Sequence, residues 1–164
     1  MKVRIAEPRD RARIAEILEG CELFSPQQRA WAMELVDSSL DHRNEGEYLT
    51  FVLDAPASGP TRDVQGYATY GRTPFTDDVY DLYWIAVDPA QQGKQFGRQL
   101  LQFVENEVRR REGRMLLIET SSKTTYARTV RFYEAAGYRE ISRIKDFYRM
   151  EHDKIVFSKS FTRS

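Results

Sequence analysis

The 164-residue chain holds one cysteine, Cys21, and two histidines, His42 and His152. One thiol cannot close an internal disulfide and is too few for a cysteine-based zinc site, so no metal is expected. The histidines are far apart and unaccompanied, which suits surface or capping positions rather than a metal centre or a triad. No apolar run approaches the roughly 18 residues that cross a bilayer. The opening Met-Lys-Val-Arg-Ile-Ala-Glu-Pro carries no apolar segment of secretion-signal length. The expectation is a cytoplasmic protein with no membrane partner. An excess of one charge is also missing, since Lys plus Arg and Asp plus Glu both number 25. Nucleic-acid binders draw affinity from a basic surplus, so no nucleic-acid partner is expected.

What is present suits a folded core. Hydrophobic residues make up 41% and charged residues 30%, unlike collagen-like, mucin-like or wholly disordered chains. The length fits a single domain over residues 1–164. Lys2 to Glu7 alternates as a short strand ending at Pro8. Ile14, Ile17 and Leu18 recur at helical spacing until Gly20. Ser25-Pro26-Gln27-Gln28 is a helix start with a cap, a first-turn proline and a returning glutamine, and Ala32, Leu35, Val36 and Leu40 mark its buried side. Tyr48–Leu53 and Val64–Tyr70 are β-rich and separated by a turn-forming stretch from Ala55 to Pro60. Val79–Val87 is the most strand-like run, ended by Asp88-Pro89. A Gly-bearing turn, residues 91–97, leads to a helix with the stripe Leu100, Leu101, Val104 and Val108. Met115–Ile118 is a short strand, Tyr126–Ala136 a helix stopped by Gly137, and strands around Tyr138–Ile144 and Ile155–Phe161 close the chain. The order βααβββαβαββ indicates one α/β unit.

Chemistry concentrates where strand passes through turn into helix, between Leu82 and Val108. A helix N-terminus carries unpaired N–H groups and partial positive charge, ready for a phosphate. Gly93 and Gly97 let main chain approach an anion, and Lys94 and Arg98 add charge. The Gly-Lys-Ser/Thr ending of a Walker loop is missing, as is the Gly-x-Gly-x-x-Gly dinucleotide fingerprint.

At Gln92-Gly93-Lys94-Gln95-Phe96-Gly97 the sequence resembles the GCN5-related N-acetyltransferase (GNAT) family, whose signature is Gln/Arg-x-x-Gly-x-Gly/Ala. Gln95 replaces the central glycine and is expected to present its N–H from ordinary helical dihedrals. Phe132-Tyr133-Glu134-Ala135-Ala136-Gly137-Tyr138 is similar to a second element of that family, and the element order agrees over almost the full chain. The resemblance implies a mixed, mostly antiparallel sheet of six to seven strands, splayed between strands 4 and 5 and flanked by about four helices. It implies acetyl-CoA as cosubstrate, its pantetheine arm along the backbone of Ile85, Ala86 and Val87 and its pyrophosphate on N–H groups of Gln92, Gly93, Lys94, Gln95, Phe96, Gly97 and Arg98. Tyr126 stands where relatives carry an asparagine and becomes a cofactor contact.

The implied activity is acetyl transfer from acetyl-CoA directly to a primary amine of a small molecule or peptide. The alternative is a catalytically weak acyl-CoA-binding regulatory module of the same fold, for which Gln95 and Tyr126 argue. Tyr133 aligns with the family's general acid, protonating the departing thiolate. Asp81 is the candidate base, expected to share a strand face with Tyr83, Ile85 and Val87; Glu119 or water is the reserve. Thr120, Ser121 and Ser122 offer hydroxyls at the cleft mouth. Phe24, Trp31, Phe75, Tyr83, Phe147 and Tyr148 are candidates to line an acceptor pocket, and Asp77, Asp78 and Asp81 hint at a cationic amine. Cys21, far in sequence from the turn and from Tyr133, is not expected to carry a covalent intermediate. A homodimer is left open.

Overall fold

A computed structural model of the protein describes residues 1–55 and 64–161; the turn expected at Ala55–Pro60 falls almost wholly outside them. In chain order the elements are β1 (Lys2–Ile5), α1 (Arg11–Gly20), α2 (Pro26–Asp41), β2 (Leu49–Asp54), β3 (Val64–Arg72), β4 (Val79–Val87), α3 (Phe96–Arg110), β5 (Met115–Ser121), α4 (Ala127–Ala135), β6 (Arg139–Arg149) and β7 (His152–Ser160). The expected order holds. The Ser25 hydroxyl accepts from the Gln28 N–H at 3.2 Å while the Gln28 side chain accepts from the Ser25 N–H at 2.8 Å, so the helix start legible in the sequence is formed in full. β6 runs five residues past its expected end at Ile144, to Arg149, where it pairs with His152 at the head of the hairpin with β7.

The seven strands form one sheet in the order β1-β2-β3-β4-β5-β7-β6. Every neighbouring pair is antiparallel except β4 and β5. That pair is parallel because α3 carries the chain back across the sheet between them, as a parallel connection requires. Helices cover both faces. Ile14, Ile17 and Leu18 of α1 and Ala32 and Val36 of α2 pack with Tyr67, Trp84 and Ala86 on one face. Leu100, Leu101, Val104 and Val108 of α3 and Tyr133 of α4 pack with Tyr80, Leu82, Leu116, Ile118 and Phe157 on the other.

Two irregularities of β4 position everything that follows. Its pairing with β5 runs from Val79↔Met115 to Leu82↔Ile118 and stops there, so the sheet opens between the two strands. Its pairing with β3 steps from Tyr70↔Leu82 to Thr69↔Trp84, leaving Tyr83 as an extra residue in a bulge. The bulge overturns the expected alternation. Ile85 and Val87 join Tyr80 and Leu82 on the α3/α4 side, whereas Asp81 stands on the opposite face, that of Trp84 and Ala86.

Candidate active site

From Tyr83 to Val87 the edge of β4 that faces β5 has no strand partner among the described residues. Unpaired main-chain donors and acceptors seek partners strongly, so this edge, which includes Ile85, Ala86 and Val87, is ready to take an extended ligand. Its far end is pinned. The Asp88 N–H donates to the Gln65 carbonyl at 2.8 Å, Asp88 accepts from the Ala90 N–H at 2.9 Å, and the Arg13 guanidinium of α1 pairs with the same carboxylate.

The turn beyond it runs through exposed Gln92, Gly93, Lys94 and Gln95 into α3. Gly93 has φ +83° and Gln95 φ +67°, ψ 14°. Gln95 is therefore left-handed, not helical as expected, and follows the path that a glycine would take there. A glutamine there holds at the cost of strain a conformation that glycine takes freely. No side chain caps α3, so the first-turn N–H groups of Phe96, Gly97 and Arg98 remain available to an anion. A Cβ on Gly97 would lie 3.6 Å from the Phe132 ring and 3.8 Å from Val87, ordinary contact distances, so the fold itself would accept one between β4 and α4. The Lys94 ammonium donates to the Gln91 side chain at 2.7 Å.

The two candidate catalytic groups lie on opposite faces of the sheet beside the opening. Tyr133 is buried among Phe132, Tyr138 and Phe157. None of the described residues is hydrogen-bonded to its hydroxyl, and burial alone pushes the phenol well above its ordinary value. Asp81 sits opposite Leu117, one residue before the strands part. Burial pushes its carboxyl up, the Thr73 hydroxyl pulls it down, and Glu119 raises it again against Lys154; the net direction is up. Glu119, the reserve base, is exposed and paired with Lys154 at 3.3 Å. No group of three or more metal-ligating side chains is present among the described residues.

The family model for the acetyltransferase (GNAT) domain matches residues 47–140. The chain belongs to the GNAT acetyltransferase family. Among solved structures, a Desulfovibrio desulfuricans protein assigned to that family is 39% identical, with 97% of this chain and 98% of that one covered and a TM-score of 0.88. The ribosomal-protein-S18-alanine N-acetyltransferase of Escherichia coli shares the fold at 21% identity, 99% and 95% coverage and a TM-score of 0.76. A Salmonella typhimurium acetyltransferase structure with acetyl-CoA does so at 21% identity, 100% and 95% coverage and a TM-score of 0.74. No curated protein matches the sequence.

Around this GNAT site the other expected residues divide. Tyr126 lies in a short 3-10 turn before α4, and its hydroxyl accepts from the Gln28 side chain of α2 at 3.4 Å, so it bridges two helices that begin near the opening. Ser122 is structural: its hydroxyl accepts from the Asp153 N–H at 2.7 Å and ties β5 to β7. The Ser121 hydroxyl accepts from Lys123 N–H, while the Thr120 hydroxyl is buried without a partner among the described residues. Phe24 and Trp31 close on Trp84 with ring centres 5.0 and 5.9 Å away, and Tyr48 meets Tyr83 edge-on at 5.2 Å. Phe147 and Tyr148 pack on each other on β6. Phe75 stands fully in solvent and lines nothing. Asp78 is paired with Arg72 and Asp77 is exposed, while Asp81 is half-buried beside the opening. Cys21 is nearer than its position suggests, its sulfur 3.8 Å from the Val87 carbonyl oxygen, but burial and Asp88 push its thiol up and hold it neutral. Sequence reasoning gave Gln28 only its capping role and Thr73 only a place in a loop near the acceptor, and it missed Trp84 and Lys154; each makes a contact across the fold that no local pattern announces.

Proposed function

We propose that this GNAT protein is an acetyl-CoA-dependent N-acetyltransferase that moves an acetyl group directly onto a primary amine of a small molecule or peptide. The observation that carries the reading is the unpaired β4 edge leading straight into an uncapped, glycine-bearing helix N-terminus. Backbone of Ile85, Ala86 and Val87 holds the pantetheine arm, N–H groups from Gln92 to Arg98 hold the pyrophosphate, and Lys94 and Arg98 add charge. Tyr126 flanks the arm. When bound, acetyl-CoA supplies a thioester carbonyl open to attack by a neutral amine.

The chain's own groups handle the protons. Asp81, on the α1/α2 face, takes the amine proton through a water, and its raised pKa makes its carboxylate a stronger base than an exposed one. Tyr133, on the α3/α4 face, donates a hydrogen bond to the departing sulfur. A thiol near 8.5 already leaves readily, and a buried phenoxide is costly, so the Tyr133 proton stays mostly on oxygen. The acceptor enters on the Asp81 face. There Tyr83 is pushed up to about 12, by burial first and then by Asp81, Tyr48, Glu47 and Glu119. That acidic surround favours a cationic amine.

The reading is tested by Tyr133→Phe. Turnover falls on the order of a hundredfold, while acetyl-CoA affinity stays within about twofold. Unchanged turnover removes Tyr133 from the role. A panel of polyamines, amino acids, aminoglycosides and peptide N-termini, followed by free-thiol release, identifies the acceptor; a chain that binds acetyl-CoA yet acetylates nothing in single-turnover mixing is a binding module instead.

A further inference from the structure

The turn between β3 and β4 is more constrained than a connection of its length needs to be. Phe75 and Asp78 both take left-handed backbone, at φ +61° and +58°, each costing about 1 kcal/mol in a residue with a Cβ. Such strain persists only where the surroundings over-determine the path. Here they do. The Arg72 guanidinium donates to the Thr76 carbonyl and to Asp78 at 3.5 and 3.3 Å, and the Arg114 main chain and side chain donate to the carbonyls of Asp78 and Asp77 at 2.9 and 2.6 Å. Inside the turn the Thr76 hydroxyl donates to the Thr73 carbonyl at 2.7 Å, and the Thr73 N–H donates to the Val79 carbonyl at 2.8 Å. Thr73 is thus held at both its N–H and its C=O. Its remaining polar group, the hydroxyl, donates to Asp81 Oδ2 at 2.6 Å.

We propose that Thr73 is a positioning residue for Asp81: held by the tied turn, its hydroxyl fixes one carboxylate oxygen and leaves the other to receive the acceptor's proton. The proposal rests on the transferase reading above. A serine or threonine hydroxyl that donates to a carboxylate favours the ionised form, and Asp81 needs that support. It is half-buried, Glu119 of β5 faces it with like charge, Tyr83 of its own strand stands beside it, and the one facing cation, Lys154 of β7, is shared with Glu119 and stacked over the Phe147 ring at 4.8 Å. The ammonium's proton moves through water to the free carboxylate oxygen. Once the neutral amine has attacked and the C–S bond breaks, the second nitrogen proton passes by water to the departing thiolate. Asp81 returns its proton to solvent when the product leaves. Thr73 keeps its own proton throughout.

The test compares Thr73→Val, which keeps the shape and deletes the donor, with Thr73→Ser, which keeps the donor. Carbon-detected NMR follows the Asp81 carboxyl across pH, and kcat/KM is measured over the same range. Thr73→Val is expected to move the Asp81 titration to higher pH and to lower kcat/KM on the acidic limb about tenfold, with acetyl-CoA affinity unchanged, since a hydrogen bond to a charged group exceeds the free energy of one decade. Thr73→Ser is expected to restore both. A titration and a limb that stay in place in Thr73→Val overturn the proposal. A titration that moves while kcat/KM holds at the wild-type value throughout overturns it too, and locates the failure in the catalytic role of Asp81 rather than in its bond to Thr73.

Discussion

Replacing Gln95 by glycine should stabilise the protein. Gln95 holds φ +67° at the residue before α3, with no hydrogen bond from its side chain to the helix and its side chain exposed. It therefore contributes no packing that glycine would forfeit. A left-handed residue with a Cβ costs roughly 1–2 kcal/mol. Glycine removes that cost but loses roughly 0.5–1 kcal/mol more conformational entropy on folding. The balance is a gain of about 0.5–1 kcal/mol, or roughly 1–4 °C in a chain of this size. Gln95→Val runs the opposite way: β-branching deepens the clash at positive φ and costs about 1 kcal/mol beyond the wild type. Urea unfolding at matched pH, with m unchanged, reads both. Because the main-chain path is the same, acetyl-CoA affinity of Gln95→Gly should hold or tighten. A glycine variant no more stable than the wild type, together with a valine variant no less stable, refutes the strained turn and the anion site built on it.

Two further expectations concern charge. Burial raises the Asp10 carboxyl, but the Arg4 hydrogen bonds, the Glu7 N–H at 2.8 Å and the Arg4 charge outweigh it and hold the group below its ordinary value. Asp10→Asn should cost about 2 kcal/mol at neutral pH; that gap is full above the unfolded-state carboxylate pKa, about 3.9, and closes as pH falls through the lower folded one, which urea midpoints at several pH values will show. Asp81 has the opposite sign, its folded pKa lying above the unfolded one, so its ionisation penalises folding as pH rises. Asp81→Asn should therefore gain stability over the wild type between acid and neutral pH while turnover falls at least a hundredfold; thermal melts paired with acetylation rates at each pH check both halves.

The sequence made local devices legible and left long-range ones hidden. The Ser25–Gln28 start, the α3 stripe and the strand VYDLYWIAV all rest on neighbours within a turn or a strand, where pattern and structure share one cause. The bulge at Tyr83 has no such mark. No glycine or proline interrupts the run, and the extra residue is set by the register of β3, so alternation placed Asp81 on the face opposite to the one it occupies. Gln95 hid its conformation because nothing in a glutamine advertises positive φ. Thr73 and Asp81 are eight residues apart and meet only because the turn folds back, and Gln28 meets Tyr126 across 98 positions. The opening between β4 and β5 was available from the family resemblance alone, since the residues on either side of its start, Leu82 and Tyr83, read as one continuous strand.

With the proposed acid and the proposed base on opposite faces of the sheet, one physical effect serves two needs. Water withheld from Tyr133 raises its phenol, which guarantees a proton to share at any working pH. Water partly withheld from Asp81 raises its carboxyl, which brings a base closer to the pH at which amines must be deprotonated. Unchecked, the second effect would neutralise the carboxylate. Asp81 alone has groups that oppose its burial: the Thr73 hydroxyl first, then the Lys154 charge. Tyr133 has none, its hydroxyl bonded to no described residue and its shift due to burial alone. The asymmetry is what the division of labour demands, because a donor must keep its proton while an acceptor must remain able to lose one. The open strand edge, where the β4–β5 pairing stops one residue beyond Asp81, lies between the two faces.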